Sequence, residues 1–203
     1  MSYLERFNHW NNEFKEWDNL KTRESSSGFG SNKFNTTNTI NTLTYIKEKY
    51  NIKSLIDLPC GDMNWITTFL ESNSDIKYTG FDISKELIER NTKLFNYNFM
   101  QKDIVLENLD LSADLILCRD FLFHLENENI IKIIQKFKNS GSIFLLTSSY
   151  INGDNFHTRI QCKGSRFFKI DLLNEPFNLP LPLEKFNEIE IDKKLYLWKL
   201  EIL

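Results

Sequence analysis

The sequence predicts an α/β fold: a doubly wound, seven-stranded, mostly parallel sheet with helices on both faces and a C-terminal antiparallel hairpin. Three observations carry this reading. Short continuous apolar runs such as "ADLILC" at 113–118 and "SIFLLTSS" at 142–149 have the length and composition of strands buried on both faces. They alternate with stretches at helical spacing, such as "NENIIKIIQKFKNSG" at 127–141, which is the rhythm of a parallel sheet with crossover helices. The chain then closes with "FNEIEI" and "LYLWKLEIL", joined by Asp192-Lys193-Lys194, which read as an antiparallel hairpin.

Taken in order, residues 3–20 place Leu4, Phe7, Trp10, Phe14 and Trp17 close to helical spacing, and "RESSSGFGSN" at 23–32 is a small, polar, glycine-containing loop. A second helix is expected over 33–50. A strand at 53–58, a helix at 63–72 and a strand at 76–83 follow. The helix at 84–95 opens on Ser84 as its N-cap, with Glu86 and Glu89 early, where acids favour the positive end of the helix dipole. A short strand near 97–101 precedes the buried strand at 113–118, and Gly141 stops the helix that follows. Residues 150–183 form a long polar and aromatic segment, and long loops in compact domains are usually functional or disordered. No internal repeat or linker divides the chain. One domain over 1–203 is expected, with 1–50 as a helical cap or lid and 150–183 as an insertion on the substrate side.

Composition removes several classes of function. With 203 residues and 41% hydrophobic content the chain can bury a sizeable core. Its 25 basic and 28 acidic residues give a formal charge of −3 without long runs of one sign, which argues against nucleic acid as a partner. Cys60, Cys118 and Cys162 show no CxxC spacing, so neither a disulfide framework nor a zinc site is read, and a reducing cytoplasm fits best. No secretory h-region and no run of ~18 apolar residues is present, so a membrane is not expected as a partner.

Acids sit where strands end. "LIDLPCGDMNW" runs from a strand into a tight turn at Gly61, the layout that sets backbone N–H groups beside a ligand. Asp82 closes the next strand, "YTGFDI", where ribose hydroxyls can be held, and Asp103 in "MQKDI" would end the third and could reach an adenine amine. Both GxGxxG and GxxxxGK[ST] are absent, and Asp57 and Asp62 beside the turn would repel a pyrophosphate. They suit a cofactor bearing an amine and a sulfonium. The acids therefore favour S-adenosylmethionine over a dinucleotide. Singly, each acid could equally be a turn or cap residue.

The residues "LIDLPCGD…YTGFDIS…MQKDI…ADLILCRDFLFHL" with the closing hairpin resemble a class I S-adenosylmethionine-dependent methyltransferase over roughly residues 24–203. The resemblance is strongest to a group with "PCGD" in place of the glycine-rich first motif, an upstream "ESxSGxGS" (Glu24 to Ser31) and "RDxLFHL" (Arg119 to Leu125). It implies that Leu58, Pro59, Cys60 and Gly61 line the methionine part of the cofactor, with Asp57 near its amine. It further implies that Asp82, with Ile83, binds the ribose, that Asp103 and Ile104 flank the adenine, and that Cys118 and Arg119 face the transferring methyl. Pro59 and Met63 depart from the glycine pattern and leave the loop path to be established. S-adenosylhomocysteine would be the product.

For the chemistry, Asp120 and His124 are the candidate bases. If 120–125 is a helical turn they share a face at i, i+4, and an imidazole with an ordinary pKa near ~6.5 is well placed to accept a hydroxyl proton. His124 could equally cap the turn or pack between Phe123 and Leu125, and two such ligands are only a weak signal for a metal, so no metal site is assigned. Glu24, Ser25, Ser27 and Ser31 could form a lid over the cofactor, a nest for an anionic substrate or a solvated loop, and the resemblance favours the lid. Asn155 and Arg166, with His157, Arg159 and Lys163, put polar and positive groups among aromatics, which suits a phosphorylated or nucleotide-linked small molecule. Proteins of the "PCGD" group are associated with surface polysaccharides, so the resemblance implies O-methylation of a small sugar-linked or anionic acceptor. The alternatives are an N-methyltransferase of an amino-sugar, a nucleic-acid methyltransferase and a non-catalytic S-adenosylmethionine-binding protein. "CRDFLFH" stands where an adenine methyltransferase would carry [DN]PP[YF].

Overall fold

The five segments expected as parallel strands form them in the computed structural model, which describes residues 24–156 and 168–203. The helix expected at 3–20 and the cations His157, Arg159, Lys163 and Arg166 lie outside the described residues. The strands are β1 (Ser54–Asp57), β2 (Lys77–Asp82), β3 (Asn98–Gln101), β4 (Leu115–Cys118) and β5 (Phe144–Tyr150), followed by β6 (Glu184–Asn187) and β7 (Lys193–Lys199). Their order is β3-β2-β1-β4-β5-β7-β6, with β7 antiparallel to both β5 and β6. The chain builds outward from β1 to β3, then returns to set β4 on the other side of β1. That reversal opens a crevice at the carboxyl ends of β1 and β4, the place where open α/β sheets bind ligands.

Helices α1 (Lys33–Tyr50), α2 (Ile66–Ser72) and α3 (Lys85–Leu94) cover one face. Leu43, Ile46, Ile66, Phe69, Leu70 and Ile88 pack there with Leu55, Leu117, Leu146 and Leu197 of the strands. On the other face α4 (Asn127–Asn139) sets Ile130, Ile133 and Phe137 among Ile56, Ile116, Leu145 and Trp198. The caps follow local chemistry. The Asn32 side chain accepts from Asn35 N at 2.8 Å to start α1, and Ser84 accepts from Leu87 N at 3.3 Å to start α3.

Two expectations change. The first strand of the hairpin is not "FNEIEI" at 186–191: β6 stops at Asn187, residues 188–192 form the connection, and Lys193 and Lys194 belong to β7. Alternation misled there because Glu188, read as a strand residue, is turned inward and buried at 5% exposure to meet Arg119. The long segment is also partly core, not only insertion: Ile170, Leu172 and Phe177 pack in the α4-side cluster, and Trp198 Nε1 donates to Pro180 O at 2.8 Å.

Gly80 in β2 fixes how closely the sheet approaches the turn after β1. A Cβ there would stand 2.9 Å from Cys60 Cβ and 3.0 Å from both Cys60 Sγ and Phe99. Overpacking of this kind costs about 1–3 kcal/mol, so Gly80→Ala is expected to lower the urea midpoint with an unchanged m-value; a midpoint equal to wild type contradicts the close packing.

Candidate active site

The turn after β1 is strapped on three sides. Leu58 N donates to Leu117 O of β4 at 2.9 Å, Cys60 N to Phe81 O of β2 at 2.8 Å, and Gly61 N to Asp82 Oδ2 at 3.0 Å. The Gly61 carbonyl accepts from Asn91 Nδ2 of α3 at 2.8 Å. The Leu58–Pro59 peptide is cis, while Gly61 and Met63 both have positive φ, 57° and 65°. Met63 thus adopts the left-handed conformation that glycine favours, and its side chain is 1% exposed with Sδ in contact with Tyr78 OH at 3.2 Å.

Two buried carboxylates meet behind this turn. Asp57, 3% exposed, accepts from Tyr78 OH at 2.9 Å. Desolvation lifts its carboxyl to about 7, and the charge of Asp82 adds to the lift against the Tyr78 bond and the charge of Arg119. Asp82 is also raised by burial, although its oxygens accept from Gly61 N and from Ser84 N at 2.9 Å. Among the described residues no cation forms an ion pair with either acid, so their carboxylates fit a positively charged ligand with hydroxyls. Beside them Pro59, Gly61 and Ile83 are partly exposed, which leaves an accessible rim at the carboxyl edge. On the expected adenine side Asp103 Oδ1 is used by its own turn, accepting from Val105 N at 2.9 Å. Ile104 is buried, and Lys136 Nζ holds the Ile104, Val105 and Glu107 carbonyls at 2.8 Å each.

Asp62 is engaged by the protein rather than available to a cofactor. Its carboxylate accepts from Ser26 N at 2.7 Å and from the hydroxyls of Ser25 at 3.0 and 3.1 Å, Ser26 at 3.0 Å and Ser27 at 3.4 Å. The Ser27 hydroxyl in turn accepts from Asp62 N at 3.1 Å, and Asn64 Nδ2 donates to Glu24 Oε1 and to Ser31 O, both at 3.0 Å. Glu24, Ser25, Ser27 and Ser31 are therefore drawn together as a loop docked on the turn. Ser25 is buried at 4% and spends its hydroxyl on Asp62, which corrects its assignment to substrate.

Past β4 the expected helical pairing of Asp120 with His124 does not form. Asp120 sits at φ 51°, outside the short 3-10 turn Leu122–His124. Its oxygens accept from Lys193 Nζ at 3.0 Å each and from Ser148 Oγ at 3.0 Å, and Arg119 Nη1 lies 3.1 Å away. Burial alone would raise this carboxyl, but Arg119 and Lys193 hold it below the ordinary carboxylate range, which makes it a poor base. His124 is partly exposed, edge-on to Phe123 at 4.7 Å. Arg119 is not poised toward a methyl either: its guanidinium is buried in a bidentate pair with Glu188. The Cys118 thiol is fully buried, and burial pushes it up against its hydrogen bond with Thr147. Asn155 spends its amide on the backbone of Asp171 and Glu175, a structural role in place of the expected substrate contact, and Arg166 lies outside the described residues.

Sequence reading missed Tyr78, Asn91, Ser148, Glu188 and Lys193. Asn91 carried a signal, since an amide three residues after the core residue Ile88 stands at an apolar position of α3 and is 0% exposed. The others act through tertiary pairing that no local pattern shows.

A family model described as "Methyltransferase domain" matches residues 19–192. No curated protein matches. Among solved structures, magnesium protoporphyrin IX methyltransferase (ChlM) from Synechocystis PCC 6803 with bound SAH superposes with a TM-score of 0.62 at 12% identity, covering 95% of this chain and 96% of that one. The methyltransferase domain of bacterial CtHen1 gives 0.58 at 17% over 81% and 97%, and TehB from Haemophilus influenzae 0.56 at 19% over 78% and 61%. At these identities the likeness is one of fold.

A carboxyl raised to about 7 binds more protons folded than unfolded, so its contribution to stability falls between ~4 and ~7 as pH rises and is constant above that range. A cationic ligand reverses the balance by favouring the ionised form. S-adenosylhomocysteine affinity is therefore expected to weaken as pH drops below about 7, approaching tenfold per unit, and Asp57→Asn should abolish that slope. Calorimetry showing the same affinity from about pH 5 to about pH 8 in the wild type would contradict the role given to Asp57.

Proposed function

Since the chain belongs to the methyltransferase-domain family, as a class I enzyme with S-adenosylmethionine as its methyl donor, we propose that its acceptor is a small polar molecule in the cytoplasm. The methyl goes to a hydroxyl of a sugar, or of a phosphorylated or nucleotide-activated precursor of surface polysaccharide. The observation that carries this reading is the charged wall at the ends of β4 and β5. Arg119 and Lys193 face Asp120 and Glu188, with Ser148 among them, so two cations balance two carboxylates. These groups are largely spent on one another, with the Asp120 side chain the most exposed at 18%, and a charge-balanced polar boundary of this kind suits a hydroxyl-rich acceptor better than an apolar ring system. That the acceptor is anionic is read from sequence alone, from Arg159, Lys163 and Arg166, which lie outside the described residues.

When bound, the donor supplies an electrophilic methyl on a sulfonium sulfur. The protein's own work is to hold, orient and deprotonate. Asp57 meets the amine, Asp82 and Ile83 take the ribose, Asp103 Oδ2 and Ile104 meet the adenine, and the backbone of Leu58 to Gly61 lines the path between. The strapping of that turn to β2, β4 and α3 means little has to reorganise on binding. With Asp120 withdrawn into ion pairs, His124 is left as the base that accepts the hydroxyl proton.

His124→Ala should bind S-adenosylhomocysteine normally by calorimetry and lose ~10²–10⁴-fold in kcat on a sugar acceptor. Full turnover in that variant would remove His124 as the base. In the ribose site, Asp82→Ala should bind the same ligand at least tenfold more weakly, roughly the 1.4 kcal/mol or more of a lost charge-assisted bond; undiminished affinity would refute the ribose assignment.

A further inference from the structure

The Arg119 guanidinium uses all three of its nitrogens, and the way it does so links the C-terminal hairpin to the serine loop. Nε and Nη2 fork onto Glu188 Oε1 and Oε2 at 3.0 and 2.9 Å. The third corner, Nη1, then reaches both the carbonyl of Gly30, 3.0 Å away, and Asp120 Oδ2 at 3.1 Å. Glu188 is itself held by Thr39 of α1, whose hydroxyl donates to Oε1 at 3.1 Å, and the guanidinium stands 5.7 Å from the Trp65 ring centre. The two side chains of the fork are 4% and 1% exposed. A planar fork with two corners occupied has its third direction set.

That third direction reaches a loop whose other attachments run to Asp62 and Asn64 on the cofactor turn and are polar. Residues 25–27 are tied to Asp62 on the cofactor turn, while Gly30 is tied to Arg119 at the end of β4, so the loop bridges the crevice between β1 and β4. Its aromatic residue, Phe29, is 82% exposed, so its ring adds little burial to the loop's attachment. The contacts that hold the loop are therefore polar, and segments with few buried apolar contacts open at low free-energy cost. Gly30 also lies flat against the wall: a Cβ there would stand 2.7 Å from Asp120 Oδ2.

We propose that Glu188 is a positioning residue which, acting through Arg119, latches the Gly30 carbonyl and keeps the serine loop closed over the bound cofactor. The assignment rests on the cofactor site described above and adds to it. Arg119 is then a latch rather than a contact to the methyl, and cofactor release passes through breaking its bond to the loop. The hairpin connection at 188–192 becomes part of the cofactor site without touching the cofactor.

The test is the dissociation rate of S-adenosylhomocysteine from the full chain, measured by stopped-flow displacement for wild type, Glu188→Gln and Gly30→Ala. Glu188→Gln removes the charge that aligns the fork. Gly30→Ala pushes the loop off the wall and leaves the buried pair intact, so it reports on the latch even if the first variant folds poorly. Both are expected to release ligand at least fivefold faster, with association rates changed less than twofold and, for Gly30→Ala, an unchanged melting temperature of the ligand-free protein. A release rate within twofold of wild type in Gly30→Ala overturns the latch while leaving the cofactor site standing. If the wild type itself binds no S-adenosylhomocysteine, the cofactor reading falls and the latch with it.

Discussion

Three carboxylates, Asp57, Asp62 and Asp82, converge on one tight turn, and their mutual repulsion is the constraint around which the rest of the site is arranged. Each is compensated differently. Asp62 takes an amide and three serine hydroxyls from the loop at 24–31. Asp82 takes two backbone amides, one of them Gly61 N, so the acid that would meet the ribose also shapes the turn. Among the described residues Asp57 has only the Tyr78 hydroxyl as a hydrogen-bond partner and stays under-compensated, with its carboxyl lifted to about 7. A site that leaves one buried acid short of a positive partner is prepared for a cation.

The same constraint explains how a turn with one glycine does the work usually given to three. Met63 takes the left-handed conformation at φ 65°, which disfavours an L-residue by roughly 1–2 kcal/mol. Full burial of the side chain and its contact with Tyr78 OH offset that cost. Tyr78 thereby serves two masters, the strained residue and the raised acid. The glycine pattern is one way to let backbone approach a ligand; here hydrogen bonds from β2, β4 and α3 reach the same end.

Much of this was legible from residues in order. Strands at 113–118 and 142–149 are visible because they are buried on both faces and read as unbroken apolar runs. The Ser84 cap is visible because a cap is local chemistry, and Asp57 and Asp82 fall at strand ends as their positions imply. What could not be read is pairing across the fold. Glu188 and Lys193 looked like parts of an alternating strand and a turn, but burial of Arg119 and Asp120 demands counter-charges, and that demand overrode local propensity. The Asp120–His124 pairing failed for the same reason, since ion pairs hold Asp120 at a positive φ that a helical turn excludes. "ESSSGFGS" gave its polarity away in sequence; that the polarity is aimed at Asp62 is a tertiary fact.

The contacts between the serine loop and the cofactor turn make them one structural unit, to be completed by the cofactor. Amide hydrogen exchange on the wild-type protein, with and without S-adenosylhomocysteine, tests it most directly. Peptides covering 24–31 and 58–64 are expected to gain protection together on ligand addition, to similar extents, while those covering α4 do not change. Protection gained by 58–64 alone, with 24–31 exchanging as before, would contradict it.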